Sequence, residues 1–190
     1  FEKKLSEATS CSHSVAVTSA TAGLHLACLA LGLKKNDYLW TSPISFVASA
    51  NCARYCGANV DFVDINPDTF NMDPKLLEKK LIDAERNNTL PKILIPVHLC
   101  GHSADMEEIY FLSKKYNFQI IEDASHSIGA KYKNLPIGSC KFSACTVFSF
   151  HPVKIITTGE GGVITTNDLN LARKIRILRS HGITKDKDEM

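Results

Sequence analysis

From end to end the sequence alternates short β-rich runs with segments of helical apolar spacing. No other feature narrows the fold as much. Strand-like runs occupy 14–18, 38–41, 60–63, 92–97, 118–121, 146–150 and 163–166. Helical patterns occupy 1–8, 20–31, 46–55 and 171–178, with two more opened by Asp73-Pro74 and by Asp105. Strands that alternate with helices build βαβ units and a mainly parallel, doubly wound α/β sheet. Right-handed crossovers then put ligands beyond the carboxyl ends of the strands. Functional residues are therefore expected at or just after strand ends.

Local signals refine this reading. Segment 20–31 is apolar nearly all round, which predicts a buried helix. Gly57 is placed to stop the helix over 46–55. Asp73 with Pro74 predicts an N-cap and a first-turn proline, and Leu77, Leu81 and Ala84 supply an apolar stripe. Asp105 followed by Glu108 reads as a capping box.

Composition excludes several classes. A chain of 190 residues with 44% hydrophobic and 22% charged residues is an ordinary globular chain, of about one domain. No apolar run reaches the ~18 residues that span a bilayer. A net charge of +2 does not favour nucleic acid. The seven cysteines form no CxxC pair and are odd in number, which fits free thiols in a reducing cytoplasm better than a disulfide framework. The chain starts at Phe1 without a signal-peptide pattern and ends at Asp186-Lys187-Asp188-Glu189-Met190 without a closing element. It reads as a piece of a longer protein.

Lys154 is the first candidate for chemistry. It follows the 146–150 strand in Ser-Phe-His-Pro-Val-Lys and precedes Ile-Ile-Thr-Thr-Gly-Glu-Gly-Gly. A neutral amine there would attack a carbonyl and form a Schiff base; a surface loop lysine is the plain alternative. Asp123 ends the 118–121 run, where a carboxylate pairs with a protonated pyridine nitrogen or, more simply, forms a turn. Glu122 should point to the opposite side. Thr18-Ser19-Ala20-Thr21-Ala22-Gly23 leads from strand to helix, which suits either a phosphate cradle or simple N-capping. Ser149 would add a hydroxyl to that cradle, and Phe46 would stack on a planar ring or sit in the core. His98, Cys100 and His102 have the alternate spacing of a metal site but no second ligand pair downstream, so no metal is expected. There is no GxGxxG, P-loop or GxSxG motif.

Taken together, SVAVTSATAGLHLA, TSPISFVASAN, ILIPVHLCG, IIEDASHSIGA, FSFHPVKIITTGEGGV and LRSHGI resemble, in order, the DegT/DnrJ/StrS-type sugar aminotransferases. These form a branch of the fold-type I pyridoxal-phosphate enzymes. The resemblance covers essentially the whole chain. It implies one domain over 1–190, the cofactor-binding large domain, lacking an N-terminal segment and a C-terminal small domain. It implies pyridoxal 5'-phosphate as cofactor, with Lys154 as the Schiff-base lysine and Asp123 as the acid on the ring nitrogen. His126 then lies near the phenolic oxygen, Thr21, Ala22 and Ser149 contact the phosphate, and Phe46 stacks on the ring. Relatives that dehydrate sugars carry His where this chain has Lys154, so amino transfer is implied. The implied partners are a UDP-linked 4-keto sugar, an amino-acid donor (glutamate) and a second copy of the chain.

Overall fold

Strand pairing follows the alternation of the sequence. The computed structural model describes residues 1–183; the terminal 184–190 lie outside the described residues. Strands β1 (His13–Val17), β2 (Tyr38–Thr41), β3 (Asn59–Phe62), β4 (Ile93–Ile95), β5 (Gln119–Asp123), β8 (Cys145–Ser149) and β9 (Gly162–Thr166) form one sheet in the order β1-β9-β8-β5-β4-β2-β3. A separate hairpin pairs β6 (Lys131–Tyr132) with β7 (Leu135–Pro136). The β3-β2-β4-β5-β8 block is parallel throughout. Only β9 runs the other way, antiparallel to both β1 and β8. The loop that joins β8 to β9 therefore turns over at the carboxyl edge of the parallel strands.

Helices cover both faces. Leu24, Ala27 and Cys28 of α2 (Ala20–Ala30), Cys52 and Ala53 of α3 (Ala48–Tyr55) and Leu171 and Ile175 of α6 (Leu169–Arg179) bury against Leu39, Ile93, Ile95, Ile121, Val147 and Ile164. Leu77 and Leu81 of α4 (Pro74–Asn87) and Ile109 and Leu112 of α5 (Met106–Tyr116) bury against Trp40, Leu94 and Ile120 on the opposite face. Leu5 of α1 (Glu2–Thr9) packs on a third cluster with Phe148 and Val163. Each such fully buried Leu or Ile contributes ~1.5–3 kcal/mol. The two faces follow from the period of a strand: alternate residues of β5 go to opposite sides.

Element ends differ from the sequence reading for identifiable reasons. Helix α3 starts at Ala48, which leaves Phe46 and Val47 outside it and exposed. Strand β4 ends at Ile95 because Pro96 has no amide to donate to the ladder. Strand β5 runs on to Asp123, so the acid is the last strand residue. Asp105 makes no capping bond; its carboxylate accepts the Tyr132 hydroxyl instead. The β6–β7 hairpin was not expected, since its turn uses Lys133 and Asn134 at φ 45° and 66° in place of glycine. Other signals hold. Asp73 caps α4 through the Lys75 and Leu76 amides, and Gly57, at φ +71°, stands just past α3. Among the described residues all seven cysteines are free thiols, and no helix is long and apolar enough to cross a membrane.

Glu122 points away from Asp123, as period-two alternation requires, into a buried polar network. Its Oε2 accepts from His98 Nε2 at 2.8 Å. Its Oε1 accepts from Ser143 Oγ at 2.5 Å and Thr146 Oγ1 at 3.1 Å. Nδ1 of His98 accepts the Ala104 amide at 3.1 Å, which places the ring proton on Nε2. Burial pushes the Glu122 carboxyl up, but the donors around it outweigh burial and hold it below the usual carboxylate range. A depressed folded-state value adds stability at neutral pH that is lost as pH falls through that value. Glu122→Gln is expected to lower the urea-unfolding free energy by ~1.5–3 kcal/mol at neutral pH. The gap to the parent should narrow on acidification, and a pH-independent gap would contradict the ionised reading.

Candidate active site

The carboxyl edge of the sheet opens into a cavity of about 370 Å³, within the ~300–1,000 Å³ typical of small-molecule sites. Thr21, Phe46, Asp123, His126, Ser149 and Lys154 all line it. They come from four separate segments, which the sheet register gathers. Val17 pairs with Gly162, and Gly162 pairs with Ser149, so the ends of β1 and β8 flank the start of β9. Asp123 pairs with Val147, one strand over and two residues back from Ser149.

The anion cradle lies at the start of α2. Ser19 is its N-cap, and Ser19 Oγ accepts the Ala22 amide at 3.1 Å. The Ala22 amide is therefore engaged within the helix cap, and Ala22 is not among the cavity-lining residues. The amides of Ala20 and Thr21 also lack an intrahelical acceptor, and Ser19, Ala20, Thr21 and Ser149 all line the cavity. The helix dipole adds positive potential at this point. Gly162 lets the cradle come this close. A Cβ at Gly162 would stand 2.6 Å from the Ser19 carbonyl carbon and 2.7 Å from the Ala20 amide nitrogen.

Asp123 is 4% exposed and accepts three hydrogen bonds. Ser125 supplies two to Oδ1, from its amide at 3.1 Å and its hydroxyl at 2.6 Å. Ser49, on α3, supplies the third to Oδ2 at 2.6 Å. His126 Nδ1 accepts the Cys100 amide at 3.3 Å, so the neutral ring carries its proton on Nε2. Burial pushes the His126 pKa down and the Lys154 charge pushes it further, with Asp123 opposing. Lys154 is half-buried in a loop pinned at its ends. Phe150 O accepts from Thr157 Oγ1 and the Thr158 amide, and the Phe150 amide donates to Gly161 O. The Lys154 amide donates to His151 O at 2.9 Å.

An amine, a buried carboxylate, an aromatic ring and an anion cradle therefore share one cavity. That donor set fits pyridoxal phosphate: aldehyde, ring nitrogen, ring face and phosphate each meet a group of matching chemistry. Sequence reasoning missed Ser49 and Ser125, which carried no motif, and Gly162, for which the adjacent glycines of Gly-Glu-Gly-Gly were the available signal. The His98, Cys100 and His102 spacing makes no metal site. Both ring nitrogens of His98 are taken, by Glu122 and Ala104. Among the described residues no group of three or more potential ligands comes together.

Comparison with known proteins places the chain in a family. The model of the DegT/DnrJ/EryC1/StrS aminotransferase family matches residues 1–190. The chain is 45% identical over 187 residues to UDP-4-amino-4,6-dideoxy-N-acetyl-beta-L-altrosamine transaminase of Campylobacter jejuni subsp. jejuni, covering 98% of this chain and 48% of the relative. It is 40% identical over 187 residues to GDP-perosamine synthase of Caulobacter vibrioides, with the same coverage of 98% and 48%. The structure of Helicobacter pylori PseC, an aminotransferase involved in the biosynthesis of pseudoaminic acid, superposes with a TM-score of 0.86 at 34% identity, covering 98% of this chain and 48% of that one. The chain thus spans about half the length of the curated relatives it matches. Aminotransferases of this family use pyridoxal phosphate. By sequence and by fold, the chain belongs to the DegT/DnrJ/EryC1/StrS aminotransferase family.

Proposed function

We propose that this chain is the cofactor-binding domain of a pyridoxal-phosphate sugar aminotransferase. The whole enzyme moves an amino group from glutamate to the 4-keto carbon of a UDP-linked 4-keto-6-deoxy-N-acetyl sugar, in the pseudaminic acid pathway. The observation that carries this reading is the meeting of Lys154, Asp123, Phe46 and the Thr21–Ser149 cradle in one cavity. The similarity to the altrosamine transaminase and to PseC supports the choice of sugar. The perosamine relative favours a second reading, a GDP-linked 4-keto sugar. Free thiols and a nucleotide-sugar acceptor fit a cytoplasmic enzyme.

In this reading each residue has a bounded task. Lys154 would hold the cofactor through Nζ, and its amine would move a proton as general base and then acid. Asp123 keeps the ring nitrogen protonated, because a buried carboxylate favours the cation next to it. Thr21 and Ser149 hold the phosphate, with Ala22 in the same cap, and Phe46 covers the ring face. His126 offers a neutral Nε2–H donor on the cavity wall. When bound, pyridoxal phosphate supplies the electron sink that stabilises a carbanion at the substrate.

Two apolar residues of the cavity lining stand open to solvent, Phe46 at 71% and Val153 at 77% exposed, and Ile155 and Ile156, next in sequence to Lys154, are 72% and 54% exposed. Such a patch around a small-molecule site supports a second copy of the chain as its cover, in a homodimer.

Borohydride reduction of the protein mixed with pyridoxal phosphate should leave a covalent adduct seen by mass spectrometry. Lys154→Ala should lose that adduct; an equal adduct in the variant would overturn the assignment. NMR titration of His126 should give a midpoint below 6.5. Lys154→Met removes one of its two depressing causes, so the midpoint should move up while remaining below the ordinary value. No movement would mean that the two groups do not share the site. Gly162→Ala should cost ~1–3 kcal/mol of stability through the clash at Ser19–Ala20 and weaken pyridoxal phosphate binding as well. Unchanged binding would contradict the cradle.

A further inference from the structure

The donors to Asp123 are of two kinds. Both Ser125 contacts belong to one local turn, the ordinary habit of an Asp beside a loop. The Ser49 contact spans 74 positions of the chain and joins helix α3 to the end of β5. Ser49 is fully buried. Asp123 lies on the α3 side of the sheet, because Ile121 does and strand residues alternate.

Ser49 also holds the cavity rim. Its amide donates to the Phe46 carbonyl at 3.2 Å, and its Oγ lies 2.9 Å from Ser45 Oγ. The single hydroxyl proton of Ser49 is on Asp123, so Ser45 is the donor in that contact. Ser45 and Phe46 both line the cavity. One buried serine thus links the aromatic group on the rim to the acid on the floor. A planar ring gripped on its face and at its nitrogen needs these two grips at a fixed separation.

We infer that Ser49 is a positioning residue for the cofactor: it fixes the Asp123 carboxylate relative to Phe46 so that the acid meets the ring nitrogen while the aromatic ring meets the ring face. The inference rests on the reading of this cavity as the pyridoxal phosphate site. Hydrogen bonds of this length to a carboxylate are among the strong ones and fix its orientation. Loss of this donor leaves Asp123 free to rotate on one side, so the ring proton is held less firmly.

The test is Ser49→Ala in the full 190-residue chain, titrated with pyridoxal phosphate and followed by visible absorption across pH. Circular dichroism during urea unfolding checks the fold. The expected result is binding about tenfold weaker and a pH midpoint of the bound-cofactor band lowered by about one unit. In an Asp123→Asn background Ser49→Ala should add nothing to the midpoint shift, because Ser49 acts through the carboxylate. A parent band with unchanged affinity and midpoint in Ser49→Ala would overturn the inference alone. A shift that persists in the Asp123→Asn background would do the same. No band in the parent chain would overturn the cavity reading and the inference with it.

Discussion

The close approach of the Ser19–Ala20 backbone to Gly162 sets the scale of the site. With no side chain at Gly162, the start of α2 lies directly against the first residue of β9. Because β9 is antiparallel to both β1 and β8, the same backbone row carries Val17, Gly162 and Ser149. The cradle at α2, the Ser149 hydroxyl and the root of the Lys154 loop are therefore referenced to one ladder. A ladder register is held by many hydrogen bonds at once and does not drift by fractions of a residue. Precision in the site is inherited from the sheet, while the loops only carry groups outward from it.

The end of β5 shows how one strand serves two tasks. Glu122 and Asp123 are adjacent, both are buried, and both accept three hydrogen bonds. Glu122 spends its donors on His98, Ser143 and Thr146, on the side away from the cavity. Asp123 is held by Ser49 and Ser125 and still borders the cavity. The His98 amide donates to the Asp123 carbonyl at 3.0 Å, so the two networks share backbone. Burying two carboxylates side by side would be severely unfavourable without such partners. The partners make the first a structural pin and leave the second available to a cation in the cavity.

Much of this was legible in the sequence because it is local. Strand and helix periods, the Asp73-Pro74 cap and the strand-end positions of Asp123 and Lys154 depend on neighbours within a few residues. Some departures were non-local. Asp105 has the pattern of a cap, yet Tyr132, 27 positions away, takes its carboxylate. Ser49 looks like any small helix residue until β5 is laid beside α3. The Lys133–Asn134 turn carries no glycine and was passed over, although the chain reverses there. The role expected of Ala22 meets a competing local bond, since Ser19 Oγ already accepts its amide.

The chain spans about half the length of its curated relatives, and Phe46 and Val153 on the cavity lining are exposed. The account stands or falls on whether the four groups of the cavity grip one ring. A crystal structure of the chain soaked with pyridoxal phosphate measures this directly. The account predicts continuous density from Lys154 Nζ to the cofactor, with the ring nitrogen beside Asp123, the ring under Phe46 and the phosphate at Thr21 and Ser149. Cofactor bound elsewhere, or in this cavity with its phosphate away from the start of α2, would contradict it.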